Sequence, residues 1–390
     1  MTVALVKRTE QPLEDLRRAI TLSGGLKGLD PKAEVVIKPN MVMRGYKGQK
    51  PDGMVTTIAM MESMITLLRE QGCENIVIAD GGVVQQDLKM NTATAFTWAG
   101  YDELSERMGV PLLDLNQGPF QVIELDGQKV EVSQKIMDAG YLINMPVLKT
   151  HIQTKVSLGI KNLKGTISLN SKKLFHRHDL HRMVALLGRR IKVDLTVLDG
   201  TYALQRGPHG DDSHQADVLV AGNDIFSVDI VGSMLLGINP EEVWHLSHYA
   251  ELSGRKPAME GIQVVGESVM DLVKPLEWES LWPRAVEEMF TITGVTMAVS
   301  DGTICSGCGY GIGAALTKFY KDHAGSDFGG IEICSGQEKA TNADARLLFC
   351  LGKCACDLNK EHKNLVEIKG CPPSVPVMYE TLKQHLFPQE

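Results

Sequence analysis

The 390-residue chain contains no apolar run long enough to cross a bilayer. Its opening residues, M-T-V-A-L-V-K-R-T-E, carry neither the apolar core nor the cleavage site of a secretory leader. A cytoplasmic protein without a membrane partner is the expectation. There is no G-x-x-x-x-G-K-[ST] loop and no G-x-G-x-x-G after a strand, which argues against nucleotide and dinucleotide binding of the usual kinds. A serine nucleophile elbow is missing too. Positive charge is in deficit: 40 Lys and Arg against 48 Asp and Glu give a net charge of −8, so no nucleic-acid partner is expected. What the chain does have is length and 43% hydrophobic residues, enough for two domains with proper cores.

Cysteine is all but missing from the first 300 residues, where only Cys73 occurs, in a helix-to-strand turn. The other seven, Cys305, Cys308, Cys334, Cys350, Cys354, Cys356 and Cys371, crowd into residues 301–373. Thiolates crowded this way, without secretory features, are usually metal ligands rather than disulfides. Zinc favours two compact pairs closing one tetrahedron, and here only Cys305-x-x-Cys308 is compact. A cubane accepts scattered cysteines, because each of its irons takes one thiolate. Glycines beside Cys305, Cys308, Cys354 and Cys371 let backbone N–H groups approach the sulfides. K-G-C-P-P also sets Cys371 just ahead of a helix, where the dipole favours negative charge. The expected cofactor is a [4Fe-4S] cluster on Cys305, Cys308, Cys354 and Cys371. The alternative is a [2Fe-2S] cluster on Cys305, Cys308, Cys350 and Cys354, since C-x-G-x-C at 350–354 resembles thioredoxin-like ferredoxins. Zinc, or buried or redox thiols, are the further alternatives. Cys350 closes the apolar run L-L-F and reads as a small core residue; Cys334 and Cys356 stay open.

Upstream, short apolar runs alternate with amphipathic ones. Val3–Val6, Val35–Ile37, Ile76–Ala79, Tyr141–Ile143, Leu195–Leu198, Val218–Ala221 and Ile262–Val265 read as strands, and 12–22, 56–68 and 180–191 as helices. This rhythm predicts an α/β fold with a mainly parallel sheet, followed by a smaller α/β cysteine-rich domain. Five strands end in polar residues: Lys38/Asn40, Asp80, Asn144, Asp199 and Asn223/Asp224. In open α/β sheets the ligand lies beyond the carboxyl ends of the strands, although these residues favour turns for their own reasons. Lys274–Met289, with Trp278, Trp282 and Pro283, reads as a boundary where one domain packs on the other. The expected domains are 1–275 and 276–390.

Residues 144–167, N-M-P-V-L-K-T-H-I-Q-T-K-V-S-L-G-I-K-N-L-K-G-T-I, contain four lysines and no acid. Lysines and backbone amides at a strand end suit a carboxylate or phosphate, against the plainer reading of a solvated loop. A desolvated lysine there can also act as a base. His178 and His181, spaced i, i+3, share a helix face and with Asp80, Asp199 or Asp224 would suit a divalent metal; surface histidines at a helix start are the plainer reading. Residues 207–212 read as a loop over the same site.

K-P-N at 38–40, N-M-P-V-L-K-T-H at 144–151, S-L-G-I-K-N-L-K-G at 157–165, V-L-D-G at 197–200 and G-N-D at 222–224 together resemble the bacterial and archaeal family called domain of unknown function 362. The resemblance covers about residues 30–240. It implies a redox-associated α/β protein, since members often carry a two-cluster ferredoxin domain. This chain departs there, because its cysteines do not follow the C-x-x-C-x-x-C-x-x-x-C run. The expectation is a redox enzyme passing electrons between the cluster and an anionic small molecule or a partner protein. Lys149 and His151 would move protons, and Lys38, Asn40, Lys161 and Asn162 would hold the ligand. A lyase using a cluster iron as Lewis acid would need three cysteines, not four. The competing classes are a non-catalytic carrier, a cluster sensor or assembly factor, and a zinc-stabilised binding module.

Overall fold

In the computed structural model the described residues are 1–280, 288–298 and 302–388. They form two compact units: Met1–Gly82 with Met90–Trp278, and Val83–Lys89 with Glu279–Glu390. Trp282 and Pro283, expected to pack between domains, lie outside the described residues. Among the described residues no helix is long and apolar enough to cross a membrane.

The strands of the first unit are β1 (Thr2–Lys7), β2 (Val35–Lys38), β3 (Ile76–Asp80), β4 (Leu112–Asp114), β5 (Phe120–Leu125), β6 (Gln128–Ser133), β7 (Tyr141–Asn144), β8 (Val147–His151), β9 (Lys155–Val156), β10 (Leu195–Leu204), β11 (Ser213–Gly222) and β12 (Gln263–Gly266). Its main sheet has the order β12-β1-β11-β10-β7-β2-β3-β4, with β8 and β9 branching from β10. From β10 to β4 neighbouring strands are parallel. This is the mainly parallel α/β layout that the alternating pattern predicts. The central strands V-V-I-K, I-V-I-A-D and Y-L-I-N are buried at every residue, so both faces need cover. Val36, Val77, Ala79, Leu142 and Leu198 share one core with the helices Leu180–Arg190 and Ile225–Leu235. Val35, Ile37, Ile78 and Ile143, of the opposite parity, are equally buried. β5 and β6 form an antiparallel hairpin. Its turn places Asp126 at φ 51° and Gly127 at φ 74°, the paired left-handed residues of a I′ turn.

Two expectations need correction. β10 does not stop at Asp199-Gly200 but runs on to Leu204 through a register shift between Gly200 and Tyr202. β11 runs antiparallel to both β1 and β10, and Gly222 pairs with Thr196 near the start of β10. Asn223 and Asp224 therefore sit at the opposite edge of the sheet from Lys38, Asp80 and Asn144. Asn223 donates to Asp194 O at 2.7 Å, and Asp224 caps the helix Ile225–Leu235 and pairs with Arg255 at 2.9 Å. An apolar run ending in Asn-Asp looks the same whichever way the strand points.

The second unit carries a parallel sheet of β13 (Thr293–Met297), β14 (Asp327–Ser335), β15 (Leu348–Leu351) and β16 (Leu365–Ile368), in that order. The helices Ser306–Asp322, Lys353–Leu358 and Val375–Leu386 complete it. β15 begins two residues after Arg346, whose guanidinium turns back onto the Phe328 and Gly329 carbonyls at 2.7 and 3.0 Å.

Candidate functional site

At the carboxyl ends of β2, β3 and β7 a polar network lies wholly inside the first unit. Lys38 ends β2 beside Asn144 of β7, and both are fully buried. The Lys38 ammonium donates to Asp80 Oδ1 at 2.7 Å, Pro39 O at 3.1 Å and Asn162 Oδ1 at 3.2 Å. Three N–H groups thus meet three acceptors, which is what a buried ammonium requires. The other oxygen of Asp80 accepts from Met41 N at 2.8 Å, and Gly81 N donates to Oδ1 at 2.8 Å. Gly165 is a glycine for this pair. A Cβ there would strike Asp80 Oδ1 and stand 2.7 Å from Lys38 Nζ.

Asn162 passes the network on, donating to Asn144 Oδ1 at 2.8 Å and Pro39 O at 3.2 Å. Asn144 in turn donates to Gly159 O at 3.0 Å. Asp229 accepts from Gly159 N at 2.6 Å and Ile160 N at 2.8 Å, anchoring the segment that presents Lys161 and Asn162. Burial raises the Asp229 carboxyl to about 7 against the pull of those two N–H groups. A side chain at Gly159 would meet that carboxylate at 2.7 Å, so the small residue in S-L-G-I-K-N is set by the anchor.

Beside this network lies a recess of cations. Lys149 is fully buried on β8, and its Nζ donates to Met54 O at 3.0 Å and Pro208 O at 3.5 Å. Burial first and the charge of Lys161 second lower it from a lysine's ordinary 10.5 to about 7. Lys161 is lowered by burial to about 8. Lys172, also lowered by burial to about 8, donates to Gly81 O at 2.8 Å and Asn116 Oδ1 at 2.6 Å. His151 and His176 are both held well below the ordinary imidazole value, by burial and then by the neighbouring lysine charges. His209, in the loop whose Pro208 carbonyl caps Lys149, falls to about 4 by burial and the Lys149 charge. Lys164 bonds to His176 Nε2. Lys161, Lys172, His176 and His209 each keep part of their surface open to solvent, so the group is reachable.

Lys149, His151 and Lys161, expected as site residues, come together here. Lys38 and Asn162 are consumed by the inner network. Asn40 holds Thr56 through both backbone groups, accepting from Thr56 N at 3.2 Å and donating to Thr56 Oγ1 at 2.9 Å. Sequence reasoning passed over Lys172, His176, His209 and Asp229. The i, i+4 spacing of Lys172 and His176 on the helix Leu169–Arg177 was a readable signal, and His209 lies in the 207–212 loop expected over the site; Asp229 had none. The histidine–aspartate metal reading finds its aspartates committed elsewhere. Asp80 serves Lys38, Asp199 accepts from Thr57 and Thr201, and Asp224 serves its helix cap. His178 is exposed, while His181 packs edge-on to Trp244 at 4.9 Å.

In the second unit the seven thiols separate into two groups. Cys308 has Cys305, Cys371 and Cys354 as neighbours, and the hydrogen bond its thiol donates to Cys305, burial and the charges of all three neighbours push that thiol well up. Cys305 sits at the start of the helix Ser306–Asp322 with Cys308 in its first turn, and Cys354 lies in Lys353–Leu358. Gly352, at φ 96°, closes the group: a Cβ there would stand 3.7 Å from both Cys308 Sγ and Gly370 O. The other group is core. Cys334 and Cys350 are register partners on β14 and β15, and both pack with Cys356, fully buried, among Ala298, Leu348 and Ala355. Cys356 donates to Cys350 O at 3.3 Å. Among the described residues no three His, Cys, Asp or Glu side chains converge as a single ion requires. A cluster, with one thiolate on each iron, demands no such convergence.

Residues 35–234, half of the chain, match the family described as Domain of unknown function (DUF362). This chain belongs to that family. The segment matched runs from β2 to the helix Ile225–Leu235 and contains every residue of the cationic recess. A relative, the Thylakoid-associated protein sll1697 of Synechocystis sp., is 26% identical over 246 residues, covering 59% of this chain and 72% of its own. Among solved structures, the lactate racemase apoprotein of Thermoanaerobacterium thermosaccharolyticum superposes over 86% of this chain and 70% of its own. The TM-score is 0.37 at 11% identity, too loose to pair individual residues.

Proposed function

We propose that this protein is an iron–sulfur oxidoreductase whose second unit holds a [4Fe-4S] cluster on Cys305, Cys308, Cys354 and Cys371, and whose first unit binds an anionic small molecule. The observation that carries the reading is the gathering of those four thiols around Cys308, apart from Cys334, Cys350 and Cys356. The donor set fits the group: four thiols, three of them at helix starts or in their first turns, with glycine backbone alongside. When bound, such a cluster supplies one-electron transfer. The chain's own residues do the rest. Lys161 and Lys172 attract the anion. Lys149, lowered to about 7, is free amine for about half of the molecules near neutral pH and accepts a proton there. A non-catalytic carrier has no use for a desolvated amine in a reachable recess, which is why an enzyme is preferred. A redox partner protein is the proposed source or sink of electrons.

The test is anaerobic purification with iron and sulfide counted per chain and an EPR spectrum after dithionite reduction. Four irons with a reduced-cubane signal support the reading. Two irons move the assignment to a [2Fe-2S] cluster, and a colourless zinc protein overturns it.

A further inference from the structure

His151 and Lys161 face one another in the recess, His151 Nε2 standing 3.5 Å from Lys161 Nζ. His151 ends β8, and the turn into β9 brings the backbone N–H of Gln153 back onto His151 Nδ1 at 3.0 Å. A backbone N–H can only donate. Nδ1 therefore carries the lone pair, and the proton of the neutral ring sits on Nε2. That N–H points at an ammonium, which also only donates. Two donors thus face each other, and among the described residues no carboxylate pairs with Lys161 and no acceptor stands between the two. His151 is 1% exposed, while Lys161 keeps an opening to solvent. Buried donors fixed toward one point, with a way in, are the arrangement that stabilises an oxyanion.

We propose that His151 Nε2–H and Lys161 Nζ form a two-donor slot for one anionic oxygen of the ligand, a carboxylate or phosphate oxygen, with the Gln153 N–H holding the imidazole in the donating tautomer. The slot rests on the reading of the recess as an anion site. It also gives His151 a role other than the proton acceptor expected from the sequence. Its lone pair is engaged by Gln153, so His151 donates to the ligand and proton acceptance falls to Lys149. The Lys161 amine, at about 8, is mostly charged near neutral pH and keeps its donors.

The probes are inorganic phosphate and oxalate, titrated calorimetrically into the full-length protein and into Lys161→Met, His151→Ala and His151→Gln. At least one probe is expected to bind the unaltered protein. Lys161→Met and His151→Ala are expected to weaken it about tenfold or more, the size of one charged or buried hydrogen bond. His151→Gln, whose amide N–H reaches the place of Nε2–H, recovers most of the loss. Binding of phosphate alone assigns a phosphoryl oxygen, and of oxalate alone a carboxylate. Nitrogen-15 spectra of histidine-labelled unaltered protein need no variant and are expected to show His151 protonated at Nε2. A proton on Nδ1, equal affinity in all variants, or no binding of either probe overturns the slot. Iron and sulfide counts are unaffected by these substitutions, so failure of the slot and failure of the cluster assignment read out separately.

Discussion

Lys149→Met tests whether the recess strains its own cations. The Lys149 ammonium is fully buried and has two carbonyl acceptors, Met54 O and Pro208 O. Its pKa falls from 10.5 to about 7 on folding, because burial disfavours the charge and Lys161 adds repulsion. Between those values the unfolded chain binds more protons than the folded one, so stability rises with pH. The penalty is complete below about pH 7 and has vanished above about pH 10.5. At about 1.4 kcal/mol per pH unit it amounts to about 5 kcal/mol, of which about 2 kcal/mol is relieved between about pH 7 and pH 9. Methionine keeps most of the volume without the charge. The carbonyls that lose a donor add an offset independent of pH, so the slope is the quantity to read. Urea unfolding in phosphate-free buffer, followed by tryptophan fluorescence, measures it. Three of the four tryptophans, Trp98, Trp244 and Trp278, belong to the first unit, so the signal follows the right part of the chain. The unaltered protein is expected to gain about 2 kcal/mol on Lys149→Met over that interval. A difference that does not change with pH refutes the claim that burial strains this ammonium.

Asp80→Ala leaves the buried Lys38 ammonium and the Met41 and Gly81 N–H groups without their shared acceptor, and is expected to cost about 3–5 kcal/mol in the same unfolding assay. Cys354→Ala is expected to lose iron, whereas Cys350→Ala keeps the iron count and loses about 1 kcal/mol for one buried core sulfur. Metal analysis of the two purified variants checks this, and the reverse result moves the ligand set to Cys350.

Much of the fold could be read along the chain because the evidence for it is local. V-V-I, I-V-I-A and Y-L-I are apolar at both parities, and that requires cover on both sides. Asp126-Gly127 between alternating residues names its hairpin. The Lys149–Lys161 stretch stood out for the same reason, as an acid-free segment in an acidic chain. The direction of β11 was not readable, because direction depends on which neighbours a strand finds. A strand-end aspartate was therefore assigned to the wrong edge. The roles of the lysines were not readable either. Lys38 and Lys149 both follow apolar residues, yet one meets a carboxylate and two further acceptors and the other only two carbonyls.

The sequence by itself determined the α/β alternation, the acid-free basic segment and the crowding of seven thiols into the last fifth of the chain. Each depends only on residue type and on spacing of a few positions. Tertiary structure decided which charges are already answered. Asp80 comes from 42 residues away to satisfy Lys38, Asp229 from 70 residues away to hold Gly159, and Gln153 turns back to fix the tautomer of His151. It also sorted the thiols into a group around Cys308 and a buried core trio. A charge or a thiol acquires its role from the groups it meets in space, and those meetings are settled only when distant segments pack.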